Sequence, residues 1–139
     1  MAESFKLTYA TMFNPPEELH TRFEDALAKV RANLGKEYGM IIDGKDYFSS
    51  DKFEDRSPVN TDVILGVFQK GSAQDATKAL AAARKAFPAW SRTPWEERVA
   101  LLRKAADLID QRTFEIGAVM AMEVGKNRME SLGDVAETA

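Results

Sequence analysis

Enzyme chemistry begins with nucleophiles, bases and metal ligands, and this chain carries few of them. It has no cysteine and a single histidine, His20. Without a thiol these residues hold no disulfide scaffold, no thiolate metal site and no cysteine nucleophile. His20 stands among polar residues on an expected helix, where a lone imidazole is far more often a surface side chain than a base or a ligand. Asp43, Asp46, Asp51, Glu54 and Asp55 gather carboxylates of the kind that hold calcium. They do not follow EF-hand spacing, and Lys45, Lys52 and Arg56 stand among them, so a solvated loop is expected. The 8 glycines form neither G-x-G-x-x-G nor a P-loop, so no cradle for phosphate is legible. Trp90 and Trp95 could stack on a planar ligand, but on either side of a helix-to-helix turn they more often staple the helices together. Residue types and spacing alone therefore assign no catalytic, cofactor-binding or metal site.

The bulk properties point the same way. The 139 residues suffice for one ordinary domain. Hydrophobic residues make up 45% and charged residues 29%, the balance of a soluble globular protein. The net charge of −3 leaves no basic surplus for displacing phosphate counterions, so no nucleic-acid partner is expected. The opening Met1-Ala2-Glu3-Ser4-Phe5-Lys6-Leu7 lacks the apolar core of a signal peptide. No window approaches the roughly 20 apolar residues needed to span a bilayer. A cytoplasmic protein without a membrane partner is the expectation.

The elements that would position any site follow from periodicity. Asn14 and Pro15 read as cap and first residue of a helix over 14–34, with Leu19, Phe23, Leu27, Val30 and Leu34 as its apolar stripe. Glu18 with Arg22 and Asp25 with Lys29 have ion-pair spacing on that helix, and Gly35 is placed to end it in a left-handed conformation. Asp43-Gly44 between apolar runs predicts a hairpin. Ser49 to Ser57 reads as polar turn, and Val63–Phe68 as a strand after Pro58. The hairpin and strand region occupies 38–70, and helices follow over 72–139.

The first of these has a Ser72/Asp75 capping box. Its buried stripe is expected at Ala73, Ala76, Leu80, Ala83 and Phe87, with Pro88 ending it. A second box, Thr93-Pro94-Trp95-Glu96, opens a helix with Val99, Leu102, Ala106 and Ile109 inward. Thr113 is the expected cap of a third helix, ending at Gly125. A fourth starts near Arg128, with Met129, Leu132, Val135 and Ala136 inward. Glu137-Thr138-Ala139 offers no stop signal, so the expectation is a single truncated unit over 1–139.

The order of these pieces carries a resemblance. An Ile41-Ile42-Asp43-Gly44-Lys45 hairpin precedes Ser57-Pro58-Val59-Asn60 and the strand Val63-Ile64-Leu65-Gly66-Val67. The Ala-rich run Ala79 to Trp90 follows, then Thr93 to Ile109, then Met122-Glu123-Val124-Gly125-Lys126. This succession, over roughly residues 38–139, resembles the opening of the aldehyde dehydrogenase superfamily. The helix at 14–34, with Glu123 to Asn127 and Gly133 to Glu137, is similar to the branch that oxidises L-glutamate γ-semialdehyde.

The resemblance implies an α/β fold: the amino-terminal part of a Rossmann-like cofactor-binding domain, α-rich with a small antiparallel β portion. It implies a parent enzyme, a homo-oligomer, in which a cysteine thiolate attacks the aldehyde, hydride passes to NAD and a glutamate-activated water releases the acid. Those groups belong to later parts of such a chain, so these 139 residues alone are expected to bind no cofactor and to be inactive, their partner being the remainder of the dehydrogenase chain. One residue maps onto a role. In that branch an acidic residue on the helix matching 128–139 meets the substrate's α-ammonium group, and the matching residue is Glu137. Without the resemblance, Glu137 reads as a solvent-facing helix glutamate. The competing expectation is a stand-alone, non-catalytic interaction or scaffold module.

Overall fold

The computed structural model describes residues 14–139, so the opening Met1–Leu7 stretch lies outside the described residues. In chain order the elements are α1 (Glu17–Arg31), β1 (Lys36–Tyr38), β2 (Met40–Ile42), β3 (Lys45–Tyr47), β4 (Lys52–Arg56), β5 (Ile64–Gln69), α2 (Ala73–Trp90), α3 (Trp95–Gln111), α4 (Thr113–Val124) and α5 (Arg128–Thr138). The chain divides into two compact units. One is Leu34–Leu102; the other takes in Arg103–Ala139 with the described residues before Leu34. The fold is α-rich with small sheets.

In the Leu34–Leu102 unit, β5 lies between β1 and β4, parallel to the first and antiparallel to the second, while β2 and β3 form a separate hairpin. The hairpin forms for the expected reason. Asp43 and Gly44 have φ of 52° and 73°, the left-handed pair a two-residue turn needs to match strand twist. The stretch read as polar turn is otherwise: Lys52–Arg56 is a strand. Its Lys-Phe-Glu-Asp-Arg sequence hides the strand period, because charge on an edge strand serves to block further pairing.

Tyr38, Phe68 and Phe53 lie opposite one another on neighbouring strands. Their rings stack at centroid distances of 5.2 and 5.8 Å. Gly66 makes room beside them: a Cβ there would stand 2.9 Å from the Phe68 ring and 3.0 Å from that of Tyr38. On the sheet's other face Gln69 is buried. It donates to Glu37 Oε1 and the Tyr38 carbonyl, both at 3.0 Å, and accepts from Ser49 N at 2.7 Å. Lys52 pairs with Glu37 at 2.7 Å. Its hydrogen bond, then that of Gln69, holds the Glu37 carboxyl below its ordinary range.

Helix α2 starts as expected, with the reciprocal Ser72/Asp75 box complete. Pro88 does not end it. The helix continues to Trp90, and Ser91 N donates to the Phe87 carbonyl at 2.8 Å. A proline this late forfeits one intrahelical bond without stopping the last turn. In α3 the first bond runs from Arg98 N to the Pro94 carbonyl, while the Thr93 hydroxyl donates back to Ala89 at 3.2 Å. The expected inward stripes of these two helices are not buried: neither helix contains a buried residue. Leu80, Phe87 and Leu102 are 53%, 64% and 71% exposed. Trp90 and Trp95 are also exposed, so the expected staple does not form.

In the other unit, α1 buries Leu19, Phe23, Ala26 and Val30. It begins at Glu17, with Pro16 as cap and no side-chain cap from Asn14. Consecutive prolines explain the shift, since Pro16 keeps Pro15 out of the helical region. The helix ends at Arg31, leaving Leu34 beyond it. Gly35 does adopt a left-handed φ of 73°, but its N–H donates to Leu65 at 3.0 Å, so it turns the chain into β1. The Glu18–Arg22 pair forms at 3.9 Å on the surface. Arg112, not Thr113, occupies the cap of α4, and Thr113 donates to Asp110 at 2.7 Å. Gly125 ends α4 with a φ of 76°, as expected.

Candidate functional site

Helix α5 carries Glu137 and is held at both ends of its first turn. Asn127 caps it, accepting from Met129 N and Glu130 N at 3.0 Å each, which satisfies two of the donors a helix start leaves orphaned. Its inner face is the best-packed part of the unit: Ser131, Leu132 and Val135 are no more than 1% exposed. Ser131 Oγ donates to the Asn127 carbonyl at 3.0 Å. Opposite lie Gly117 and Ala118 of α4, both buried. The approach is close enough that a Cβ on Gly117 would stand 2.9 Å from Leu132 Cδ2.

Arg128 ties the same turn to α1. Its guanidinium donates to Glu24 Oε1 at 2.6 Å, lies 3.0 Å from His20 Nδ1 and sits 5.1 Å from the centre of the Phe23 ring. A guanidinium has no acceptor, so His20 Nδ1 must accept there. His20 is thus a partly buried packing partner of Arg128. Among the described residues no group of three or more His, Cys, Asp or Glu side chains is placed to hold a metal ion.

The outward face of α5 is acidic. Glu130, Asp134 and Glu137 fall at i, i+4 and i+7, which places them on one face. Glu130 and Glu137 are exposed and Asp134 is half-buried. Ala136, expected inward, is exposed beside them; the buried stripe passes through Ser131 instead. Lys126, in the loop between α4 and α5, donates to Asp134 Oδ2. That bond raises the Lys126 ammonium above its ordinary range against some desolvation, and the charges of Asp134, Glu130 and Glu137 add to it. Ionised carboxylates only accept and an ammonium only donates, so this face suits a cationic group.

Neither Lys126 nor Asp134 stands out in the sequence, where both sit inside an ordinary mixture of charges. The signal was present in the 130/134/137 spacing. Asn127 followed three residues later by Glu130 was likewise legible as a helix start.

Among the described residues the helix starts present no cradle for a dinucleotide's pyrophosphate. A pyrophosphate is commonly received by free amides at a helix start. Here every first turn that faces outward carries acid: Glu17 and Glu18, Asp75, Glu96 and Glu97, Glu115, and Glu130. At α2 and α5 the amides are also taken by the helix's own cap.

Comparison with known proteins gives the frame for this geometry. Residues 47–139 match the model of the aldehyde dehydrogenase family. The chain is 35% identical over 116 residues to the 1-pyrroline-5-carboxylate dehydrogenase of Staphylococcus haemolyticus, covering 84% of this chain and 23% of that protein. It is 38% identical over 115 residues to the enzyme of the same name from a Geobacillus strain, covering 83% and 22%. Among solved structures, an arginine-to-alanine variant of Thermus thermophilus 1-pyrroline-5-carboxylate dehydrogenase superposes with a TM-score of 0.88 at 34% identity, over 99% of this chain and 27% of that one. The Thermus enzyme with bound NAD gives 0.87 at 33% identity, over the same shares. The chain thus spans about a quarter of the length of the relatives it matches. With the family match extending over more than half of its residues, and with this fold, the chain belongs to the aldehyde dehydrogenase family.

Proposed function

We propose that these residues are the amino-terminal segment of an NAD-dependent dehydrogenase that oxidises L-glutamate γ-semialdehyde to glutamate in proline catabolism. The observation that carries this reading is the superposition on 1-pyrroline-5-carboxylate dehydrogenase over 99% of the chain at 34% identity. The sequence has no cysteine, so the thiolate that such a reaction uses comes from outside these residues, as does the NAD-binding surface. Loss of a nucleophile costs on the order of 10⁵–10⁶-fold in rate, and the 139 residues alone are inactive on this reading. In the complete enzyme, a cytoplasmic homo-oligomer, the remainder of the chain is their partner. The segment holds α5 rigid so that its outward face meets the substrate.

Glu137 is the substrate-binding residue of this segment. It is exposed at the end of a helix whose inner face is fixed by Leu132 and Val135, which suits a carboxylate receiving the α-ammonium group of the semialdehyde. A charge-assisted bond of this kind contributes about 1.5–3 kcal/mol, or roughly ten- to a hundredfold in binding. Two measurements test the reading. The first is the intact mass of the protein in its native source, with NAD-dependent semialdehyde oxidation assayed on the same sample. A chain several times heavier with activity supports it, and a mass near 15.5 kDa without activity overturns it. The second is Glu137→Gln in the active enzyme, where KM for the semialdehyde should rise roughly ten- to a hundredfold and KM for an uncharged aldehyde should stay. Equal effects on both substrates would remove Glu137 from recognition.

A further inference from the structure

The acidic face of α5 presents a problem of choice. An ammonium group arriving at this face meets Asp134 as well as Glu137, one turn apart on the same side, with Glu130 a further turn back towards the helix start. A substrate held by Asp134 would sit about one helical turn, roughly 5 Å, away from one held by Glu137. Displacements far smaller than this abolish a reactive geometry. The structure shows what separates the two acids: Lys126 reaches across from the α4–α5 loop and engages Asp134 Oδ2. The lysine is placed by its neighbours. Gly125 turns the chain in a left-handed conformation just before it, and Asn127 fixes the helix start just after it.

We propose that Lys126 is a positioning residue for substrate: by occupying Asp134 it withdraws that carboxylate from competition and leaves Glu137 as the acid that receives the substrate's ammonium group. This rests on the proposed role of Glu137. Lys126 touches neither substrate nor reacting atoms; it acts by taking up the wrong docking point. The bond to Asp134 in turn raises the affinity of Lys126 for its proton.

The test uses the complete enzyme and two aldehydes, L-glutamate γ-semialdehyde and an uncharged aliphatic aldehyde. Lys126→Met frees Asp134, and part of the charged substrate then binds out of reach of the chemistry. Nonproductive binding lowers kcat and KM by the same factor and leaves kcat/KM unchanged. The expected result is a parallel fall of about threefold or more in both for the semialdehyde, with the uncharged aldehyde unaffected. The double variant Lys126→Met/Asp134→Asn removes the competing acid together with its blocker and should restore wild-type values for the semialdehyde. Lys126→Arg, which preserves the cation, should behave as wild type.

A fall in kcat/KM for both aldehydes with Lys126→Met would show a merely structural lysine and overturn the proposal. Unchanged kcat and KM would overturn it as well, and so would a double variant no better than the single one. The underlying reading fails separately: Glu137→Gln acting equally on both aldehydes would remove the receptor itself, whatever Lys126 does.

Discussion

Leu132 is the side chain on which the placement of α5 turns. It is 1% exposed and rests against the bare backbone of Gly117. Leu132→Ala should cost about 2–5 kcal/mol, the transfer of the lost atoms plus the cavity they leave. Gly117→Ala attacks the same contact from the other side. A methyl group 2.9 Å from Leu132 Cδ2 forces one of two packed helices to shift, at about 1–3 kcal/mol, against the roughly 1 kcal/mol that alanine's helix propensity returns. Denaturant melts of each variant measure both, and a stabilised Gly117→Ala would show that the helices separate freely. The inward positions of Leu132 and Val135 were legible from the helical period. Ala136 was not, because an alanine fits either face and the small polar Ser131 is buried in its place. Glu137 is an ordinary surface glutamate to any reading of composition and spacing; only resemblance singles it out. Lys126 escaped even that, since its partner eight residues along the chain is found only once the loop and helix have folded.

The helix ends make the clearest statements about elements. Asp75 closes the capping box of α2, and its bonds to Ser72, with Lys78 a smaller influence, hold its carboxyl down to about 2. The sign follows from linkage: a carboxyl with a lowered folded value contributes stability above its ordinary value of 3.8, and loses it as pH falls towards 2. The start of α2 should therefore stay helical to about pH 3 and fray below it, followed by amide exchange or chemical shifts at Asp75 and Ala76. Fraying that sets in at pH 4 or above would mean the reciprocal box is not formed in solution. Ser72→Ala removes the other half of the box and should destabilise the helix by about 1 kcal/mol at neutral pH. The Ser72/Asp75 box was read correctly from sequence, as was the Asp43-Gly44 turn, because each depends on residues within four positions of one another. Some local readings missed as well, since Pro16 displaces the start of α1, Arg112 takes the cap of α4 and Pro88 lies inside α2; the larger misses depended on neighbours distant in sequence. Edge strand β4 carries charge in place of alternation, and the β1–β5 parallel pairing joins segments with the whole hairpin between them. The stripes of α2 and α3 were read correctly as apolar faces, but periodicity says only which face is apolar and nothing about what covers it.

At the scale of the molecule, that last point dictates behaviour. Seven large apolar side chains on α2 and α3 are about half exposed or more: Leu80, Phe87, Trp90, Trp95, Leu101, Leu102 and Leu108. Single exposed apolar residues are ordinary, but a concentration on two consecutive helices is the mark of a surface meant for contact. The 139-residue chain prepared alone should self-associate with rising concentration and bind a hydrophobic dye. Sedimentation at several concentrations measures the first, and a monodisperse monomer throughout would show that these faces tolerate water.

The two tryptophans give this surface a second significance. They are the only tryptophans in the chain, both are exposed, and they bracket the joint between the two uncovered helices. Indole emission responds to the polarity around the ring, so the chain carries its own optical reporter at the place where covering would occur. Red-shifted, easily quenched emission belongs to the chain by itself; a blue shift with protection from quencher would follow the arrival of whatever seals that joint, without any label having been attached.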